Sequence, residues 1–159
     1  MLHRKVQCWI FSIKQISESK TQELCLLLKT IPARGNFWQP VTGSVEPNEG
    51  FFEAACREPA EETKFPFSSS PLDTGYEFDF ISRQGPTRER IFTLFVEDTP
   101  LPQIDPKEHQ DFQWIEPQKA LKHLRYPSNL EGLRRSYKIL FKKDLNELEH
   151  DQDGICDEI

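Results

Sequence analysis

The sequence predicts an α/β domain built on a mixed β-sheet with helices on both faces. Apolar runs of strand length come first, at Val6 to Ile13 and Leu24 to Lys29. An acidic amphipathic helix, FFEAACREPAEET, follows near residue 51, and helical patterns close the chain after Pro117. Strands, a central helix and late helices are the order expected of a sheet sandwiched between layers. At 159 residues the chain has one domain's length, enough to bury a core without disulfides or metal staples.

The first two strands flank the polar stretch ISESKTQE, a hairpin-like connection. The segment ARGNFWQPVTGS then brings a short aromatic strand to the head of the acidic helix. Beyond that helix, KFPFSSSPLDTG reads as a Pro/Ser-rich loop. Tyr76 to Ser82 and Arg88 to Glu97 form another strand pair about a Gly85-Pro86 turn, and Phe112 to Ile115 a last short strand. Helices are expected from about Pro117 to Leu124 and from about Asn129 to Phe141, each following a proline signal.

The formal charge of −6 is unevenly spread. Residues 144–159 hold seven acids and no Lys or Arg, so the preceding 143 residues carry 19 acids against 20 bases. The reading is a single near-neutral domain over residues 1–143 and an acidic tail over 144–159. The tail's DxDG lacks the rest of a calcium loop. Without a concentrated basic stripe, no stable nucleic-acid partner is expected. No apolar run reaches the ~18 residues of a membrane span, so no membrane partner is expected either. Cys8, Cys25, Cys56 and Cys156 show no CxxC pairing; buried thiols in a reducing compartment, the cytoplasm, are the expectation. Monomer and homodimer are equally compatible with the sequence.

At 3.6 residues per turn, Glu58, Glu61 and Glu62 fall within a fan of roughly 100°, while Phe52, Ala55, Cys56, Pro59, Ala60 and Thr63 form the opposite, burying stripe. Like charges at these spacings repel. A solvated acidic face is one explanation; a cation is the other. Mg²⁺, for which Mn²⁺ can substitute, suits hard oxygen ligands presented beside a substrate's phosphates.

Gly43, Glu49, Arg57-Glu58 and Glu61-Glu62 together resemble the Nudix box, G-x5-E-x7-R-E-U-x-E-E-x-G-U, with all six of these positions filled. The resemblance implies an α/β/α sandwich over most of residues 6–141 and a metal-dependent hydrolase of phosphoanhydrides in nucleotide-type substrates. Two positions depart: Pro59 stands where an aliphatic residue is usual, and Lys64 where the final glycine is. A proline inside the helix loses a hydrogen bond to Ala55 and predicts a kink between Glu58 and Glu61. At Lys64 a different turn is expected to end the helix before Pro66. If the kink impairs catalysis, the alternative is a nucleotide-binding module.

On this resemblance Glu58, Glu61, Glu62 and Glu108 are the expected metal ligands. Glu61, Glu62 and Glu108 are rivals for orienting or deprotonating the water. Arg57 pairs with Glu49 to hold the loop, and Gly43 lets it approach phosphates. Glu108 enters because FWQPVTGSVE and EHxxFxW are similar to the bacterial branch of the family that includes dihydroneopterin triphosphate pyrophosphatase. Thr42 is assigned to substrate on the same ground, and His109 is either catalytic or structural. Phe37 or Trp38 offers an aromatic platform for a base, and Lys29, Arg34, Arg88 and Arg90 are expected phosphate partners. A nucleoside triphosphate or dihydroneopterin triphosphate is the favoured substrate. Dinucleoside polyphosphates, nucleotide sugars and RNA 5′ ends are the alternatives.

Overall fold

A computed structural model describes residues 1–145. Strand β1 (His3–Ser17) runs through the middle of a seven-stranded mixed sheet and is buried without interruption from Val6 to Ser12. A strand covered on both faces reads as a continuous apolar run, which is why VQCWIFS does not alternate. β2 (Lys20–Thr30) pairs antiparallel with it through the hairpin, and β6 (Gly85–Phe95) pairs parallel on its other side, His3 opposite Thr87 through Phe11 opposite Phe95. β3 (Trp38–Gln39) and β7 (His109–Ile115) both pair with β2. β4 (Val41–Ser44) pairs with β1, and β5 (Leu72–Ser82) lies outside β6.

Helix α1 (Phe51–Thr63) covers one face over a core of Val6, Cys8, Ile10, Leu26, Leu28, Phe92 and Leu94. The short α2 (Pro117–Ala120) and α3 (Pro127–Phe141) cover the other, over Trp9, Phe11, Cys25, Leu27, Ile91 and Leu133. This is the three-layer arrangement expected. Among the described residues no helix is long and apolar enough to cross a membrane.

Several boundaries differ from the sequence reading. β5 begins at Leu72, within the expected loop, because Gly75 at φ +79° and a register shift between Asp73 and Glu77 let the strand continue through an irregularity. The expected helix from Pro117 splits into α2 and a 3-10 turn at Leu121–His123. α3 starts two residues early, with Pro127 as its first residue.

In α1 the buried positions are Ala54, Ala55, Pro59 and Thr63, whereas Phe52 and Cys56 are exposed. The apolar face is therefore rotated from the predicted stripe, so Cys56 is not a core thiol; Cys8 and Cys25 are. Pro59 lies inside α1 without ending it. At the helix end Lys64 takes the left-handed conformation, φ +64°, and its N–H reaches the Ala60 carbonyl. A lysine thus makes the turn that glycine would make at lower steric cost. The acidic tail and Cys156 lie outside the described residues, save Asp144, which pairs with Lys138, and Leu145, which is buried in the α3-side core.

Candidate active site

The site is organised by one guanidinium. Arg57 sits on the turn of α1 that faces the β4–α1 loop and grips Glu49 with both arms, Nε to Oε2 at 2.6 Å and Nη2 to Oε1 at 2.8 Å. Nη2 also donates to the Ser44 carbonyl at 3.0 Å, and Nη1 donates to Glu58 at 2.9 Å and Glu61 at 3.1 Å. Donors from Arg57 hold the Glu49 carboxyl down at about 2. Glu49 in turn accepts the Glu46 N–H at 3.0 Å, so the loop is tied to the helix at both ends. Gly50 has no side chain to cap α1; Glu53 instead accepts the Gly50 N–H at 2.7 Å.

Gly43 is required by space. A Cβ there would lie 2.1 Å from Cδ of Glu58, so the β4 backbone and the carboxylate can touch only through glycine. Glu58 is thereby pressed inward, and Glu62, one turn on, is more buried still. One Glu62 oxygen, Oε1, is buried with no hydrogen-bond partner. Burial, then the charges of Glu58 and Glu108, push the Glu62 carboxyl up to about 8. Burial also raises Glu58, against the pull of Arg57. Glu61 points outward, its side chain 58% exposed and bonded to Arg57.

Glu108 and His109 reach the same place from the start of β7. Ligand atoms of Glu62, Glu108 and His109 lie within 4.8 Å of one another. His109 is buried, which lowers its pKa and favours the neutral imidazole. Arg34 stands 3.9 Å from Glu108. An orphaned buried carboxylate oxygen, two further carboxylates and a neutral imidazole form a donor set that fits a hard divalent cation. Glu58, Glu62, Glu108 and His109 are the residues able to hold it.

These groups line a cleft of about 690 Å³ with Lys5, Arg34, Thr42, Gly43, Glu61, Lys64 and Asp105. Of the residues anticipated from sequence, Arg34, Thr42, Glu58, Glu61, Glu62 and Glu108 meet there, with Arg57 bracing them from behind. Lys29 lies over the Trp38 ring at 5.7 Å and Trp38 packs on the α3-side core, so neither lines the cleft. Phe37 lines an adjoining cleft. Arg88 and Arg90 are engaged across the strand pair, Arg88 with Asp79 at 2.8 Å and Arg90 with Asp73 at 2.9 Å and Glu77 at 2.6 Å. Alternation along β6 turns both away from the face that carries Glu89.

Lys5, Lys64 and Asp105 were not anticipated. Lys5 belongs to an apolar-leading strand far from the box in sequence, and only its register opposite Ser44 brings it to the site. The sequence marks Lys64 only as the residue that ends the helix in place of the usual glycine.

A model of the NUDIX domain family matches residues 7–136. An octanoyltransferase of Myxococcus xanthus is 33% identical over 118 residues, covering 71% of this chain but 31% of that protein, so the chain spans about a third of it. The asymmetrical bis(5′-nucleosyl)-tetraphosphatase of Mus musculus is 27% identical over 105 residues, 65% of this chain and 71% of that one. Dihydroneopterin triphosphate diphosphatase of Haemophilus influenzae is 28% identical over 113 residues, 63% of this chain and 70% of that one. Among solved structures, a binary complex of the C. elegans Ap4A hydrolase superposes with a TM-score of 0.71 at 21% identity, over 89% of this chain and 99% of that one. The E. coli dihydroneopterin triphosphate pyrophosphohydrolase gives 0.67 at 21% identity, over 88% and 96%. With its family model matched across most of the described sheet and the box residues converging on one cleft, the chain belongs to the Nudix family, whose hydrolases cleave phosphoanhydride bonds.

Proposed function

We propose that the protein is a Mg²⁺-dependent pyrophosphohydrolase, with Mn²⁺ able to substitute, that cuts a nucleoside triphosphate or dihydroneopterin triphosphate to a monophosphate and pyrophosphate by attack of water. The observation that carries this reading is the buried, partnerless oxygen of Glu62 beside Glu108 and His109, facing a cleft that also holds three cationic side chains. When bound, a divalent cation supplies neutralisation of phosphate charge and acidifies a water molecule.

The chain's own residues supply the rest. Glu58 and Glu62 would hold the cation, kept in place by Arg57 and by the close fit of Gly43. Glu108, half-buried and free of short hydrogen bonds to its carboxylate among the described residues, accepts the proton of the attacking water, directly or through one relay. Glu61 is held by Arg57 and acts at the rim of the cleft. Arg34, Lys5 and Lys64 offset the charge of the phosphate chain, Arg34 by forked contact and the lysines as point charges. His109, buried and neutral, is a ligand or an orienting group rather than a cationic acid.

A second reading, cleavage of a dinucleoside polyphosphate, is favoured by the likeness to tetraphosphate hydrolases in both sequence and fold. The binding-module reading is weakened because α1 continues through Pro59 with Glu58 and Glu62 lining the same cleft. The buried free thiols of Cys8 and Cys25 support a reducing compartment, the cytoplasm.

The test is product identification with Mg²⁺ and a panel of nucleoside triphosphates, dihydroneopterin triphosphate, dinucleoside polyphosphates and nucleotide sugars in ¹⁸O-labelled water. Release of pyrophosphate from a triphosphate supports the first reading, and a mononucleotide released from a dinucleoside tetraphosphate the second. No turnover of any compound, with nucleotide binding retained, would sink both.

A further inference from the structure

The cleft adjoining the acidic site has a polar floor that the hydrolysis does not use. We infer that this second cleft is a recognition pocket for the amino-oxo edge that guanine shares with pterins, and that Glu89 is the residue that selects it. The inference rests on the reading that the phosphate chain of a nucleotide-type substrate lies over the α1 carboxylates.

The cleft measures about 530 Å³ and is lined by two aromatic pairs, Phe78 with Phe80 on β5 and Phe37 with Tyr126. Ring centroids are 5.6 Å apart in the first pair and 5.3 Å in the second. Such rings offer faces to a flat heterocycle. Lys5 and Thr42 line this cleft and the acidic one alike, so a ligand can keep its ring in one and its phosphates in the other by passing those two side chains.

Glu89 is 5% exposed, on β6, opposite Lys5 in register, and it lines the aromatic cleft. Its Oε2 accepts the Gln7 amide at 2.8 Å, and Gln7 Oε1 accepts the Trp9 indole N–H at 2.7 Å. An indole can only donate, so the Gln7 oxygen must face Trp9 and its nitrogen must face Glu89. The chain of bonds therefore fixes Glu89 Oε2 as an acceptor. Gly132 of α3 leaves room for the relay, since a Cβ there would lie 2.0 Å from Gln7 Oε1.

Among the described residues, Glu89 Oε1 has no hydrogen-bond partner, and neither does the side-chain amide of Asn129, 5% exposed in the first turn of α3 and lining the same cleft. A carboxylate and an amide, both nearly buried and both with unused capacity, are open to the donors and acceptors of a ligand that enters the cleft.

The chemistry of the edge follows from donors and acceptors. Guanine and pterins present a ring N–H beside an exocyclic NH₂, two parallel donors that a carboxylate accepts together, and a neighbouring carbonyl that the Asn129 amide can serve. Adenine presents one amino donor beside a ring nitrogen that only accepts, which would set lone pair against lone pair at Glu89.

Calorimetric titration of the metal-free wild-type protein with GMP, AMP, neopterin and adenosine tests this without turnover. GMP is expected to bind at least tenfold tighter than AMP, and neopterin at least tenfold tighter than adenosine. Glu89→Gln, which can still accept from Gln7, is expected to bring GMP and AMP within threefold of each other with an unchanged melting temperature. Phe80→Ala is expected to weaken both ligands equally. AMP binding as tightly as GMP in the wild type, or a GMP preference that survives Glu89→Gln, would overturn the assignment, and the wild-type comparison decides it even if a variant fails to fold. None of these ligands carries a phosphoanhydride. Selective GMP binding without hydrolysis of the substrate panel would sink the hydrolase reading alone, whereas hydrolysis without base preference would sink this one alone.

Discussion

Glu62 combines a partnerless buried oxygen with a carboxyl pushed up to about 8, and both properties disappear if a cation sits beside it. Glu62→Gln removes the charge and keeps the shape. Turnover is expected to fall on the order of 10²–10⁴-fold, while circular dichroism and the metal-free melting temperature stay at or above wild type. Near-normal turnover would remove Glu62 from the mechanism. Gly43→Ala acts on the same group from the other side: with Cβ only 2.1 Å from Glu58 Cδ, the carboxylate must swing away. Mg²⁺ affinity, read by calorimetry, should then drop on the order of 10–100-fold, and unchanged affinity would show that Glu58 is not a ligand. These residues were legible because loop and helix set their spacing within about twenty positions of one another. Glu89 and Asn129 were not. Forty residues separate them, and only strand register and the docking of α3 bring them to one cleft.

α1 carries the acidic face through a residue that should break it. Pro59 has no N–H to offer the Ala55 carbonyl, yet the helix continues to Thr63, whose hydroxyl donates back to the Pro59 carbonyl at 2.7 Å. Pro59→Ala restores the missing donor at the expense of some ring burial. A net gain of about 1 kcal/mol is expected, some 3 °C in a thermal melt; a lower melting temperature would show that the buried ring outweighs the lost bond. The existence of α1 and its acidic fan were readable from period and motif, but the burying face was not. Phe52 looked like core by hydropathy, whereas the small Ala54 and Ala55 are what the close approach of α1 to β1 and β4 admits. The strand edges failed for another reason: Gly75 at positive φ permits a strand to run through what composition marks as loop.

For the molecule as a whole, opposed carboxyl shifts set the pH response. Glu62 titrates above its unfolded value of 4.5, so between pH 4.5 and about 8 the native state keeps a proton that the unfolded chain has lost, and metal-free stability falls as pH rises through that window. Glu58 and Glu89, also raised by burial, act in the same sense. Glu49 acts oppositely: its contribution is present above about 4.5 and is lost as pH falls toward 2. His109, lowered from 6.5, loses its contribution as pH falls below that value. In EDTA the melting temperature should therefore fall from pH 6.5 to 8, and the rise on adding Mg²⁺ should be larger at pH 8 than at pH 6.5, because cation and proton compete for Glu62. A metal-free melting temperature that climbs over that interval would contradict the assignment. The layered fold was legible because strands and helices follow one another in a conventional order. The parallel pairing of β1 with β6 left no trace in either strand's own pattern. That pairing has a kinetic corollary. The hydrophobic run near the N-terminus is met by β2 and β4 on one flank, but by β6 on the other only after some eighty more residues have emerged, so during synthesis β1 waits with one flank open. Premature termination before Phe95 should leave an aggregation-prone fragment rather than a smaller domain.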